Sequence, residues 1–386
     1  MSEEKNAEAH RFIVAAVKEL FRRLDAGLVH LDITRVPVTA EALRKVRFDE
    51  NGDPILTTIE PPVQALAAGI ISAVPEALEA VRRETSPVIA LLGQPVRVDD
   101  EMLRRSADEG SYSPLAFELY KEAAIALTVC SHSYVAPDDR AKGLRRNQAI
   151  CVGLLVRIVK LMTAVMALVS ENPNRGDVVF GLNRSILESA TNLRYLLLKN
   201  EERFFDQFVR FSLAPEREQF DLIQRNITAR DGEVLPIERR MLTSIERVCR
   251  LSGIAITDVP SKAGDWGGGL RNRLNALGLA DLYVGQQRLL SHAVHGTWVD
   301  LVQHHLTEVE GGRFEPDPTW SRVDVRLMLP VCLLVLPAAE EYLAEYFDPL
   351  PEAKPLVDRI RDLMNRMRQV DQAHEAAFGR ARDSAT

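Results

Sequence analysis

Apolar residues recur at helical spacing along most of the chain. In residues 7–30, Phe12, Ala15, Ala16, Leu20, Leu24 and Leu28 fall on one helical face. After Pro37 the pattern changes. Residues 46–59 alternate apolar and polar on both sides of Asn51-Gly52. That dipeptide accepts the positive φ angles of a tight turn, so the segment predicts a β-hairpin. Helical periodicity resumes over 63–83, behind Pro61-Pro62. It predicts further helices over 99–109 with Asp99 as cap, and over 114–134, 138–169, 177–200, 201–226 and 236–251. The last three expected helices cover 281–309, 320–347 and 351–382. Residues 254–273, with Gly264, Gly267, Gly268 and Gly269 around Trp266, are the most irregular stretch.

The expected fold is therefore mainly α, a multi-helix bundle with one short β-hairpin in the N-terminal region. Residues 1–110 form an expected helix–hairpin–helix region, 111–348 the bundle core, and 349–386 a C-terminal amphipathic helix and tail. In that last helix Leu356, Ile360, Leu363, Met364, Met367 and Val370 make a narrow apolar stripe. Such a stripe suits one partner helix, either on the same bundle or across a homodimer contact.

Two apolar runs raise the question of a membrane. Residues 149–169 could span one, but Arg157 and Lys160 lie at the centre, where each costs about 2.5–3.5 kcal/mol. Residues 327–339 are too short and contain Pro330 and Pro337. Both are expected to be core helices, with no membrane partner. The polar, acidic start lacks the apolar region of a secretory signal. Cys130, Cys151, Cys249 and Cys332 are widely separated and have no zinc spacing. They read as reduced core thiols without disulfides, which fits a cytoplasmic protein. The chain has 386 residues, with 48 Lys and Arg against 55 Asp and Glu, a net charge of −7. That balance argues against a broad nucleic-acid surface but not against a local basic site.

Candidate chemistry concentrates in two helices. Within 177–200, Arg184, Glu188, Asn192 and Tyr195 form a polar stripe beside an apolar face. If buried, Arg184 and Glu188 need partners, and each is the other's nearest candidate. Within 281–309, Ser291, His292 and His295 share a face, and Arg288 lies one turn before His292. Imidazole titrates near neutrality, so a His beside an Arg suits proton transfer on an anion. His292, His295 and Glu188 could also begin a metal site, although two histidines alone are a weak signal. Arg271 and Arg273 follow the glycine cluster and could hold a phosphate. There is no Walker loop, no dinucleotide fingerprint and no nucleophile elbow, so no cofactor or metal is expected.

In this order, Arg184-x-x-x-Glu188, the Trp266-Gly loop, Tyr283 and Ser291-His292-x-x-His295 resemble an uncharacterised bacterial family of all-helical proteins, a domain of unknown function. The likeness runs over roughly 115–345. It implies a helical fold and matches Arg184, Glu188, Ser291 and His295, without implying an activity. A further likeness is to HEPN ribonucleases, helical toxins and defence proteins that cut RNA without metal, as dimers. Their site places an Arg shortly before a His on one helix, here Arg288 and His295. The residue after that Arg is usually polar, and here it is Leu289. That likeness implies His295 as general base, Arg288 on the phosphorane charge, and RNA as partner.

Three functions are thus open. The first is a ligand- or partner-binding module with an Arg/Glu/His polar centre formed by Arg184, Glu188, Tyr195, Ser291 and His292. The second is a ribonuclease with Arg288 and His295 as catalytic residues. The third is a metal-dependent hydrolase.

Overall fold

The computed structural model describes residues 92–133, 144–261, 264–310, 312–347 and 353–383. The chain divides after Leu91. The helix expected at 7–30 and the hairpin expected at 46–59 lie outside the described residues.

The described part is mainly helical, as the periodicity predicts. Helix α1 (Asp100–Asp108) starts where the Asp99 carboxylate accepts from the Met102 N–H at 3.0 Å. Helices α2 (Ser113–His132), α3 (Arg146–Glu171), α4 (Gly176–Lys199) and α11 (Val325–Phe347) form the central bundle. In it α2 packs on α3, α3 on α4, α4 on α11, and α11 back on α2. Leu119, Leu127, Leu155, Ile158, Met162, Ile186 and Leu193 fill the middle. Both of the long apolar runs are bundle helices, and in α3 Arg157 and Lys160 sit on the exposed face. All four cysteines are buried and unpaired. Burial pushes the Cys130 and Cys151 thiols up to about 12.

Helix α12 (Lys354–Asp383) lies along α11 and α2. Its stripe from Leu356 to Val370 is buried there. Of the two partners its spacing allows, the stripe takes the chain's own bundle, and nothing in the arrangement of the described residues supports a homodimer contact. Under α12 sits a buried ion cluster. Arg366 donates to both carboxylate oxygens of Glu122 at 2.7 Å each, Arg359 adds a bond at 2.8 Å, and the Val96 N–H a fourth at 3.0 Å. Burial alone would raise the Glu122 carboxyl. The Arg366 bonds and the two cations outweigh it and hold the group below its ordinary range.

Between α4 and α11 the chain departs from the expected helices. The helix expected over 201–226 breaks at Leu213 into α5 (Glu202–Ser212) and α6 (Ala214–Ala229). Pro215 has no N–H to continue the ladder and starts a new helix well. Helix α7 (Pro236–Ser252) follows, closed by Gly253 at φ 68°. The helix expected over 281–309 is in fact four pieces. A turn at Ala280–Leu282 runs into a π-helical segment, Tyr283–Arg288, then α9 (Leu289–His295) and α10 (Trp298–His304). Gly296 at φ 56° ends α9. Strand β1 (Leu306–Val309) then pairs antiparallel with β2 (Arg313–Pro316). The described hairpin is therefore at 306–316, where helix and loop were expected, and not in the N-terminal region.

Residues 321–323 cross the start of α4. The Gly176 N–H donates to the Ser321 carbonyl at 2.7 Å. A Cβ on Gly176 would lie 2.8 Å from that oxygen, so the crossing requires glycine.

Candidate functional site

The remaining face of α4 is covered by α8 (Gly269–Ala276) and α9. Gly181, Arg184, Glu188, Asn192 and Tyr195 lie along this seam at three- and four-residue intervals. The two helices singled out by their polar residues do touch. Arg184 Nη1 is 3.3 Å from His295 Nε2. A guanidinium only donates, so His295 Nε2 is the acceptor of this bond.

The expected partnership of Arg184 with Glu188 does not form. No carboxylate of the described residues lies within 4.0 Å of Arg184. Its Nε is buried without a partner. Spacing alone favoured the pair, but α9 brings His295 to the guanidinium instead.

Tyr195 is buried at the lower end of the seam, edge-on to Trp266 with centroids 5.6 Å apart. Trp266 is also buried and is stacked by Arg273, whose guanidinium carbon lies 4.3 Å from the ring centre. Arg273 Nη1 donates to the Trp266 carbonyl at 2.6 Å. Arg273 is 4 % exposed, its Nε has no partner, and no carboxylate of the described residues is within 4.0 Å. Burial pulls its ionisation below the usual arginine range, against the opposing charge of Glu188 and, further down the order, Asp265. The glycine run allows this packing. Gly267 sits at φ 59°, and a Cβ there would be 2.9 Å from Arg273 Cγ and 3.0 Å from Tyr195 Cε1. The loop is thus a packed collar around Arg273.

The other expected residues are committed elsewhere or stand apart. Ser291 Oγ donates to the Gln287 carbonyl at 2.6 Å, within its own helix. His292 Nδ1 is 2.7 Å from Thr297 Oγ1 and helps close α9. Arg288 ends the π-helical segment, is exposed, and makes no hydrogen bond to a described side chain. A ribonuclease centre needs Arg288 and His295 to converge on one phosphate, but His295 faces Arg184. The HEPN likeness finds no support in this arrangement. Among the described residues no three His, Cys, Asp or Glu side chains are grouped to hold a metal. His292, His295 and Glu188 in particular do not converge.

Nine buried side-chain atoms among the described residues lack a partner, and four belong to this layer: Arg184 Nε, Asn192 Oδ1, Arg273 Nε and Gln287 Oε1. Buried polar atoms are normally satisfied, so this concentration marks the seam. Sequence reasoning singled out Arg273 and the Trp266 loop but did not place them against α4, and it missed Gln287. The signal available for the first two was a lone tryptophan among glycines, seven positions before an arginine in an otherwise polar helix.

Residues 148–313 match the model of a family of unknown function, DUF5677. The matched span contains the whole seam. No curated protein and no solved structure matches the chain.

Proposed function

We propose that this chain is a ligand-binding module and that the seam between α4 and the α8–α9 layer is its binding site. The observation that carries the reading is the set of unpartnered buried atoms, Arg184 Nε, Asn192 Oδ1, Arg273 Nε and Gln287 Oε1. Leaving such groups unmade costs about 1–3 kcal/mol each, and more when charged. A ligand that bonds to them recovers that cost on binding.

A thermal-shift screen of the full chain tests this. The panel spans orthophosphate, citrate, glucose, cytidine, putrescine and free arginine. At least one member should raise the melting midpoint, by about 3 °C when present at about a hundred times its Kd. Arg184→Gln should abolish the shift. A panel that leaves the midpoint unmoved contradicts the reading.

A partner-binding role is the second reading. It is favoured by the exposed apolar side chains beside the seam, Val284, Leu289, Val294, Trp298 and Trp320, with Trp298 packed edge-on to Phe314 at 5.3 Å. The same screen separates the two. Trp298→Ala leaves a ligand shift intact if the seam alone holds the ligand.

A further inference from the structure

The arginines of this molecule fall into two groups. Most of the sheltered ones have a carboxylate. Arg194 is held by Glu341 at 2.6 Å, Arg217 by Asp221 at 3.0 Å, and Arg366 by Glu122 at 2.7 Å. Arg230 is paired with Glu238. Arg184 and Arg273 differ. Each spends Nη1 on a neutral acceptor, His295 Nε2 or the Trp266 carbonyl, and each leaves Nε buried and unbonded, as Arg230 also does, but unlike Arg230 neither has a carboxylate of the described residues on any of its nitrogens. In neither does Nη2 bond to a described residue. The same edge of both guanidiniums, Nε with Nη2, is therefore unused, and that edge binds a carboxylate or phosphate with two parallel hydrogen bonds.

Both arginines face the seam, Arg184 from α4 and Arg273 from α8, which packs on α4. Glu188 lies one turn from Arg184 on α4, and its charge acts on Arg273. Two cations against one half-buried carboxylate leave the seam short of negative charge. Asp265, exposed at the mouth of the collar, is screened by water. A buried guanidinium without a counter-ion is unfavourable unless something supplies the charge.

We infer that the ligand of this seam is a small oxyanion, a phosphate or carboxylate group received by the unbonded Nε edge of Arg184 or of Arg273. The inference rests on the ligand-binding reading and narrows it to one chemical class. Asn192 Oδ1 and Gln287 Oε1 lie on the same layer as acceptors, so hydroxyl groups on the rest of the molecule would find partners there.

Isothermal titration of the full chain in chloride buffer decides the class, with orthophosphate, citrate, glucose and putrescine as the probes. Orthophosphate or citrate should give a saturable heat, weakened about tenfold or more in Arg184→Gln or in Arg273→Gln. The tighter of the two anions tells a phosphoryl ligand from a carboxylate. Arg184 is only half-buried, and Arg273→Met replaces Arg273→Gln if that variant fails to fold. Saturable, Arg184-dependent binding of glucose or putrescine with neither anion binding overturns the oxyanion inference and leaves the ligand site standing. An anion that binds wild type and both variants equally overturns it as well, since its site then lies elsewhere. Silence from all four probes overturns it too. Only a null result in the wider thermal screen removes the ligand-binding reading itself.

Discussion

Glu122 and Arg273 are equally buried, each 4 % exposed, yet they are treated in opposite ways. Glu122 receives bonds from Arg366, Arg359 and the Val96 N–H, and Arg366 in turn reaches Asp362 and the Val96 carbonyl. That cluster ties the segment before α1 to α2 and α12. Arg273 has a carbonyl, an indole face and no carboxylate within reach among the described residues. A buried charge can be kept because it closes a network, or because it awaits a partner from outside. The first arrangement belongs to the fold, and the second suits a site. Burial alone does not separate them; the count of satisfied atoms does.

The largest effect should come from breaking the closed cluster. Arg366→Met leaves Glu122 buried with Arg359 as its remaining cation. It should lower stability by about 3–5 kcal/mol in chemical denaturation. A loss under about 1 kcal/mol would put the two regions on the same footing. Gly267→Ala comes next. A side chain at φ 59°, pressed on Arg273 Cγ and Tyr195 Cε1, should cost about 2 kcal/mol and disturb the Trp266 environment in near-ultraviolet dichroism. A third expectation concerns acid. The Glu122 carboxyl is held below its ordinary value of 4.5. A depressed carboxylate stabilises the fold above the unfolded value, and that contribution is lost as pH falls through the folded one. The stability gap between wild type and Glu122→Gln should therefore be widest at neutral pH and shrink as pH drops below about 4.5. A gap that does not change with pH contradicts the depressed carboxyl.

The parts of this molecule that were legible in the sequence are the ones with local causes. Asp99 caps α1 because a short carboxylate reaches the N–H three residues on, and that needs no tertiary context. The long apolar helices declare themselves by period, and the C-terminal stripe from Leu356 to Val370 is buried as its spacing suggests. The polar stripes carrying Arg184 and His295 were legible as candidate chemistry, and α9 packs on α4 so that the two side chains meet. What was not legible depends on non-local geometry. Glu122 lies 244 positions from Arg366, and nothing near either residue announces the pair. The segment 281–309 has helical composition, and the π-helical run at Tyr283–Arg288, the αL glycine at 296 and the pairing of β1 with β2 break it. Arg273 was legible as a possible phosphate holder after the glycine cluster, but its burial under Trp266 depends on how the glycine collar folds.

The most direct measurement is the melting temperature of Arg273→Met without added ligand, set beside that of Arg366→Met. Methionine keeps much of the packing on Trp266 and removes the unpaired charge. If Arg273 is held open for a ligand, the variant should melt at or above the wild-type temperature, since replacing an uncompensated buried charge by an apolar group of similar volume is neutral or stabilising. A fall as large as that of Arg366→Met would mean that Arg273 is a structural residue whose network is already complete, and would contradict the assignment of the seam as a binding site.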